Sequence, residues 1–198
     1  MIDPWEAEAA GSASTAEVSA STRGGGVAFR ERMATRRGDR PRMVVTLKAD
    51  IPGIDPFLAD AAHPVSMRGV VSVEGIVSRA RVSGTLSLFA EGEREAMSYA
   101  MHFVDDDGRR WQLSGVKTVR SRNPLELLIG LTTLRAELSL ADAAAGPKET
   151  QRFVLSIGAR DLVRLGASLR GSGPTSARRL RAVARFGSFF TAATLRRR

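Results

Sequence analysis

A 198-residue chain without cysteine has no disulfide, thiol nucleophile or thiolate metal site to use, yet is long enough to bury a sizeable core. Its net charge of +9 is unevenly spread: residues 160–198 hold ten basic groups against one acidic, whereas residues 43–159 are close to neutral. The acidic start Met1-Ile2-Asp3-Pro4-Trp5-Glu6 lacks an apolar signal segment, and no apolar run approaches the roughly 20 residues that span a bilayer, so the expectation is a cytoplasmic protein that is at most peripheral to a membrane.

Residues 1–42 read as a disordered tail and linker. Ala9 to Ser21 is rich in alanine and serine, Gly24-Gly25-Gly26 reads as a hinge, and Arg30 to Arg42 is studded with arginine. The segment reads as a dispensable tail, or as an overextended start whose true initiator is Met33 or Met43, ahead of a nucleic-acid-binding arm. From Met43 to Ile51 apolar and polar residues alternate with the period of a half-buried strand, which Pro52-Gly53 stops. Ile54 to Ala62 suits a turn or two of helix opened by Asp55-Pro56. Alternation resumes over Val65 to Val73, bends at Gly75, and returns over Arg79 to Leu88 before the acidic loop Glu91 to Glu95.

The clearest unit follows. Met97, Tyr99, Met101 and Phe103 alternate with Ser98, Ala100, His102 and Val104; Asp105-Asp106-Asp107-Gly108 turns the chain; Trp111, Leu113, Gly115 and Val119 then define one face of a return strand. Leu125 to Leu134 is apolar and fits helix or strand, with strand favoured from about Thr132 to Leu140. Ala141 to Lys148 is a loop, and Phe153, Leu155 and Ile157 form a last strand. Residues 43–159 therefore predict a mainly β domain, a small antiparallel barrel or sandwich of about seven strands, in which Gly69, Gly84 and Gly115 serve sharp bends. Residues 160–198 form a basic helical segment. Leu162, Leu165 and Leu169 share a helix face behind a cap at Asp161, Gly171 ends that helix, and a second begins at Ser176.

Motifs of catalysis are missing: there is no nucleophile elbow, P-loop or dinucleotide fingerprint. The two histidines, His63 and His102, lie far apart, so neither a catalytic residue, a metal ligand set nor a cofactor is expected. His102 reads as a polar-face residue and the acidic turn as a solvated one. Lys117 is the anomaly, because strict alternation puts its ammonium on the apolar face. Either a bulge at Gly115 turns it outward or it meets a carboxylate or an anionic ligand, Asp50 and Glu137 being the candidate carboxylates. Met97, Tyr99, Met101, Phe103, Trp111 and Lys117 are the candidate ligand-binding set, with a plain barrel core as the competing meaning of their apolar members.

Further residues carry a resemblance. Asp55, Phe57, Leu58 and His63, then Gly69, then Gly84, Leu86, Leu88 and Phe89, then Met97, Tyr99, Phe103, Gly108, Leu113, Gly115, Lys117 and Val119, and finally Thr132-Thr133-Leu134, fall in a similar order. From about Asp55 to Asp161 the chain resembles an accessory β region that accompanies cholesterol-oxidase-like GMC (glucose–methanol–choline) oxidoreductases and their α/β-hydrolase fusions. Gly130-Leu131 stands where that pattern carries an acidic residue. The resemblance implies an accessory role beside lipid or sterol chemistry, without the flavin domain and hence without oxidase activity.

The leading expectation is thus a non-enzymatic accessory or lipid-binding barrel that holds an apolar molecule or docks on an oxidoreductase or hydrolase. The alternative is a module for a membrane or other anionic surface, led by Arg178, Arg179, Arg181, Arg185, Phe186 and Phe190 of the basic C-terminal helix. Nucleic acid ranks behind both as a partner, because the β domain offers no comparable stripe of basic and aromatic residues.

Overall fold

The structure is a computed structural model that describes residues 25–90, 96–119, 123–141 and 150–195. Nine strands follow one another as β1 (Gly26–Thr35), β2 (Met43–Ile51), β3 (Pro64–Val73), β4 (Val77–Leu88), β5 (Ala96–Val104), β6 (Arg110–Thr118), β7 (Thr133–Leu140), β8 (Gln151–Ser156) and β9 (Arg170–Ser172). Among the described residues the helices are α1 (Ile54–Ala59), α2 (Pro124–Thr132) and α3 (Ala159–Ser168) between strands, and α4 (Ser176–Leu195) after the last. Each strand from β1 to β8 pairs antiparallel with the next, and β8 returns to β1 through Ala34–Ser156 and Thr35–Leu155, so the eight close into an up-and-down barrel. The β8–β1 seam is short, two residue pairs, and the opening residues of β1, Gly26–Ala28, pair with β9 instead.

The strand from Gly26 to Thr35 corrects the reading of residues 1–42 as a disordered tail; the Ala/Ser-rich part of that segment lies outside the described residues. Val27, Glu31, Met33 and Thr35 are buried while Arg30 and Arg32 are exposed, which is the same period of two seen in the later strands. Its signal was masked by the neighbouring glycines, by arginine density and by an acidic residue at an inward position. Met33 and Met43, read as alternative starts, are both fully buried barrel residues. A chain opening at Met43 would lack the strand that closes the barrel.

β1 is covered along the middle of its outer edge by α3 rather than by a strand. Ser168 Oγ accepts from the Arg30 amide at 2.8 Å and the Arg32 guanidinium donates to Asp161 at 3.0 Å. Helix and strand together thus occupy the gap between the short β8–β1 ladder and β9, meeting backbone groups that would otherwise lack partners. α2 settles the ambiguous stretch after Asn123. The Asn123 side chain accepts from the Leu125 amide at 2.9 Å and Pro124 takes the first helical turn, both ordinary devices for starting a helix.

The interior is one continuous apolar cluster running from Val27 to Phe186. Within it Trp111 lies parallel to Phe103, with ring centroids 6.3 Å apart. Close approach of neighbouring strands depends on glycine at two corners. A Cβ at Gly69 would sit 2.0 Å from the Thr46 carbonyl oxygen, and one at Gly84 would sit 2.1 Å from that of Ala100. Neither partner is a flexible side chain, so the backbone itself must shift. Gly84→Ala should therefore destabilise the fold by about 1–3 kcal/mol, the usual range for overpacking. Urea unfolding measures it, and an unchanged midpoint would mean that the corner has slack.

Candidate functional site

An apolar cavity of about 330 Å³ lies where the barrel meets α2, α3 and α4. The barrel contributes Leu86, Leu88 and Met97 together with Glu31, Tyr99 and Lys117; the helices contribute Leu128 and Leu131, Leu162 and Leu165, and Phe186 and Phe190. Each helix brings two leucines or phenylalanines three or four residues apart, the spacing that places both on one helical face. The volume falls within the range of small-ligand sites.

The polar part of the lining is a single connected group. Lys117 forms an ion pair with Glu31 Oε1, and Tyr99 donates its hydroxyl proton to Glu31 Oε2 at 2.9 Å. The ammonium also stands over the Tyr99 ring, 5.2 Å from its centroid. The Lys117 and Glu31 side chains are 2% and 3% exposed. Burial of the Tyr99 hydroxyl, the adjacent Glu31 charge and the hydrogen bond to it all push that group well above the ordinary tyrosine range, so it remains a neutral donor at physiological pH.

Lys117 does point inward, and its carboxylate partner is Glu31 rather than Asp50 or Glu137; Glu137 instead pairs with Arg152 on the outside. The partner was missed because it lies in the segment read as disordered. A signal for it existed: Glu31 interrupts an alternating apolar face just as Lys117 does, and two opposite charges at inward positions of one small barrel predict each other.

Of the candidate ligand-binding residues, Met97, Tyr99 and Lys117 border the cavity. Met101, Phe103 and Trp111 are buried but do not border it; they pack the core farther along β5 and β6. The surface-binding set divides as well. Arg178, Arg179 and Arg181 are exposed, and Arg185 is ion-paired with Asp55. Phe186 is buried and Phe190 half-buried, and both line the cavity, which corrects their assignment to an anionic-surface patch. The mixture of arginine and phenylalanine in α4 resolves along its length: arginines crowd the exposed first half, and phenylalanines dock the second. Phe186 meets Phe29 and Phe57 at centroid distances of 6.1 Å each, Phe189 meets Phe57 at 5.2 Å and His63 at 4.6 Å, and Phe190 meets Phe89 at 5.5 Å.

Two glycines of the capping helices, Gly166 and Gly187, also border the cavity, and a Cβ at either would meet no atom within 4 Å. Glycine inside a helix costs about 1 kcal/mol relative to alanine, and here no steric demand from the protein requires it. At Gly187 the missing side chain leaves room on the cavity wall.

The acidic turn is a structural lock. Asp105 accepts from the Trp111 indole at 2.9 Å, from the Arg109 amide and guanidinium at 2.9 and 2.8 Å, and from the Asp107 amide at 3.0 Å. Burial works to raise its pKa, but the bonds from Trp111 and Arg109 and the Arg109 charge outweigh this and hold it below the usual carboxylate range. A depressed folded-state pKa adds stability above the unfolded value of roughly 3.9 that disappears as pH falls through the folded one. Asp105→Asn should therefore flatten the loss of stability between about pH 4 and 2. Acid titration of the urea midpoint checks this, and identical slopes for both proteins would contradict it.

His102 sits on the outer face, with its Nε2 3.0 Å from Ser83 Oγ. Among the described residues no group of three or more His, Asp or Glu side chains is placed to hold a metal ion, and no helix is long and apolar enough to cross a membrane. The chain matches no family model, no curated protein and no solved structure.

Proposed function

We propose that this protein is a non-enzymatic binding module that encloses a small apolar molecule in the cavity between its barrel and its three capping helices. The observation that carries the reading is the cavity itself, about 330 Å³ walled by leucine, phenylalanine and methionine beside a helical glycine whose absent side chain leaves room. Leu128, which borders the cavity, is exposed, as are Leu125 and Ile129 of the same helix, an apolar surface that favours capture of a poorly soluble guest. The resemblance to the accessory region of GMC oxidoreductases and hydrolase fusions supports a place beside an enzyme of lipid or sterol chemistry, as holder of a substrate or product. Native mass spectrometry of gently purified protein tests the reading: a retained apolar molecule, displaceable by toluene, is the expected result. A bare chain mass that neither toluene nor 1-heptanol can shift would overturn it.

A second reading is supported by Arg178, Arg179 and Arg181, which crowd the exposed first half of α4 together with Leu180. An anionic bilayer would gain on the order of 1 kcal/mol from each. Replacing these three arginines by alanine leaves the docked phenylalanines untouched, so sedimentation with phosphatidylserine vesicles should fall if this surface is used. Undiminished sedimentation would exclude it.

A further inference from the structure

The floor of the cavity is assembled from three strands: Glu31 from β1, Tyr99 from β5 and Lys117 from β6. An ammonium carries three N–H donors, and a carboxylate offers about four acceptor positions. Among the described residues, Lys117 donates to Glu31 alone, and Glu31 receives only Lys117 and Tyr99 through its side chain. Two donors and roughly two acceptor positions are thus left over on groups that water scarcely reaches. Unfilled hydrogen-bonding capacity is costly on a desolvated charge. The rest of the lining is hydrocarbon apart from Thr132, whose hydroxyl donates to the Leu128 carbonyl, and the exposed Thr191, so this trio is the one charged feature a guest would meet.

Resting on the apolar-ligand reading above, we infer that the cavity selects an uncharged molecule that ends in a hydroxyl group. A hydroxyl both accepts and donates, so one group accepts from Lys117 and donates to Glu31. A carboxylate would suit Lys117 but bring a second negative charge against Glu31. An ammonium would suit Glu31 and repel Lys117. The pair is neutral as a whole, so neither ion finds a net counter-charge, and each must also leave water. A guest with an apolar end leaves the spare donors and acceptors unmet.

Calorimetric titration of the native chain near pH 7 with four guests of one length decides this without any substitution that could unfold the protein. The guests are 1-heptanol, 1-chloroheptane, heptanoate and heptylammonium. Hydrophobicity alone would rank chloroheptane above heptanol. The expected result is the reverse order, with both ions weaker than heptanol by at least about tenfold, the equivalent of one hydrogen bond to a charged group. Chloroheptane binding as tightly as heptanol, or either ion matching the alcohol, overturns the hydroxyl preference and leaves the apolar site standing. No heat with any of the four overturns the apolar-ligand reading itself, and the preference with it.

Discussion

Lys117→Met should destabilise the folded protein by about 3–5 kcal/mol, the range for removing one member of a buried ion pair. Methionine nearly matches the lysine stem in volume, so little of the effect is a cavity. What remains is the Glu31 carboxylate, 3% exposed and deprived of its cation, with only the Tyr99 hydroxyl to stabilise it. Replacing all three polar groups together, as Glu31→Leu, Tyr99→Phe and Lys117→Met, removes the charges and the orphaned hydroxyl at once. Buried pairs exchanged whole for apolar residues are often neutral or stabilising, so the triple variant should recover most of the loss. Urea unfolding of the single and triple variants separates these effects. A Lys117→Met variant within about 1 kcal/mol of the parent would mean that Lys117 and Glu31 reach water.

Trp111→Ala should cost about 3–5 kcal/mol, as expected when a large aromatic site is emptied. Trp111 is 7% exposed, stacks on Phe103 across the β5–β6 pair, and donates its indole N–H to the buried Asp105 carboxylate. Trp111→Phe keeps much of the packing and removes only that donor, so it should cost less than the alanine variant. A loss under about 1 kcal/mol for Trp111→Ala would mean that the turn and the tryptophan are not part of the core.

Much of this architecture is legible in the chain. Met97, Tyr99, Met101 and Phe103 alternate without interruption, and Asp105-Asp106-Asp107-Gly108 supplies the turn that pairs Phe103 with Trp111. The bends at Gly69 and Gly84 are equally readable, because glycine inside a strand signals close backbone approach. The number of strands was less so: about seven were expected, and eight close the barrel with a ninth beside β1. β9 is three residues long, too short for periodicity to register. β1 is hidden in the sequence because arginines on its outer face and a glutamate on its inner one imitate the composition of a linker.

The site was harder to read than the fold. Tyr99, Met97 and Lys117 were visible as a set, but the cavity exists only because α2, α3 and α4 stop short of filling the space above them. Nothing local distinguishes Met97, which borders that space, from Met101, which is sealed four residues farther on. Likewise the partners that dock Phe186 and Phe190, which are Phe29, Phe57 and Phe89, lie far away in sequence, so α4 alone has the composition of a surface patch.

Gly187 offers the most direct test of whether the cavity is a ligand site. Gly187→Leu adds a good helix former where a Cβ would meet no atom within 4 Å, so the empty protein should be at least as stable as the parent, by up to about 1 kcal/mol. The added side chain would take up room that a guest needs. 1-Heptanol titrated calorimetrically should bind the parent and give no measurable heat with the Gly187→Leu variant. Equal binding to both, or binding to neither, would contradict the assignment of this cavity as the site.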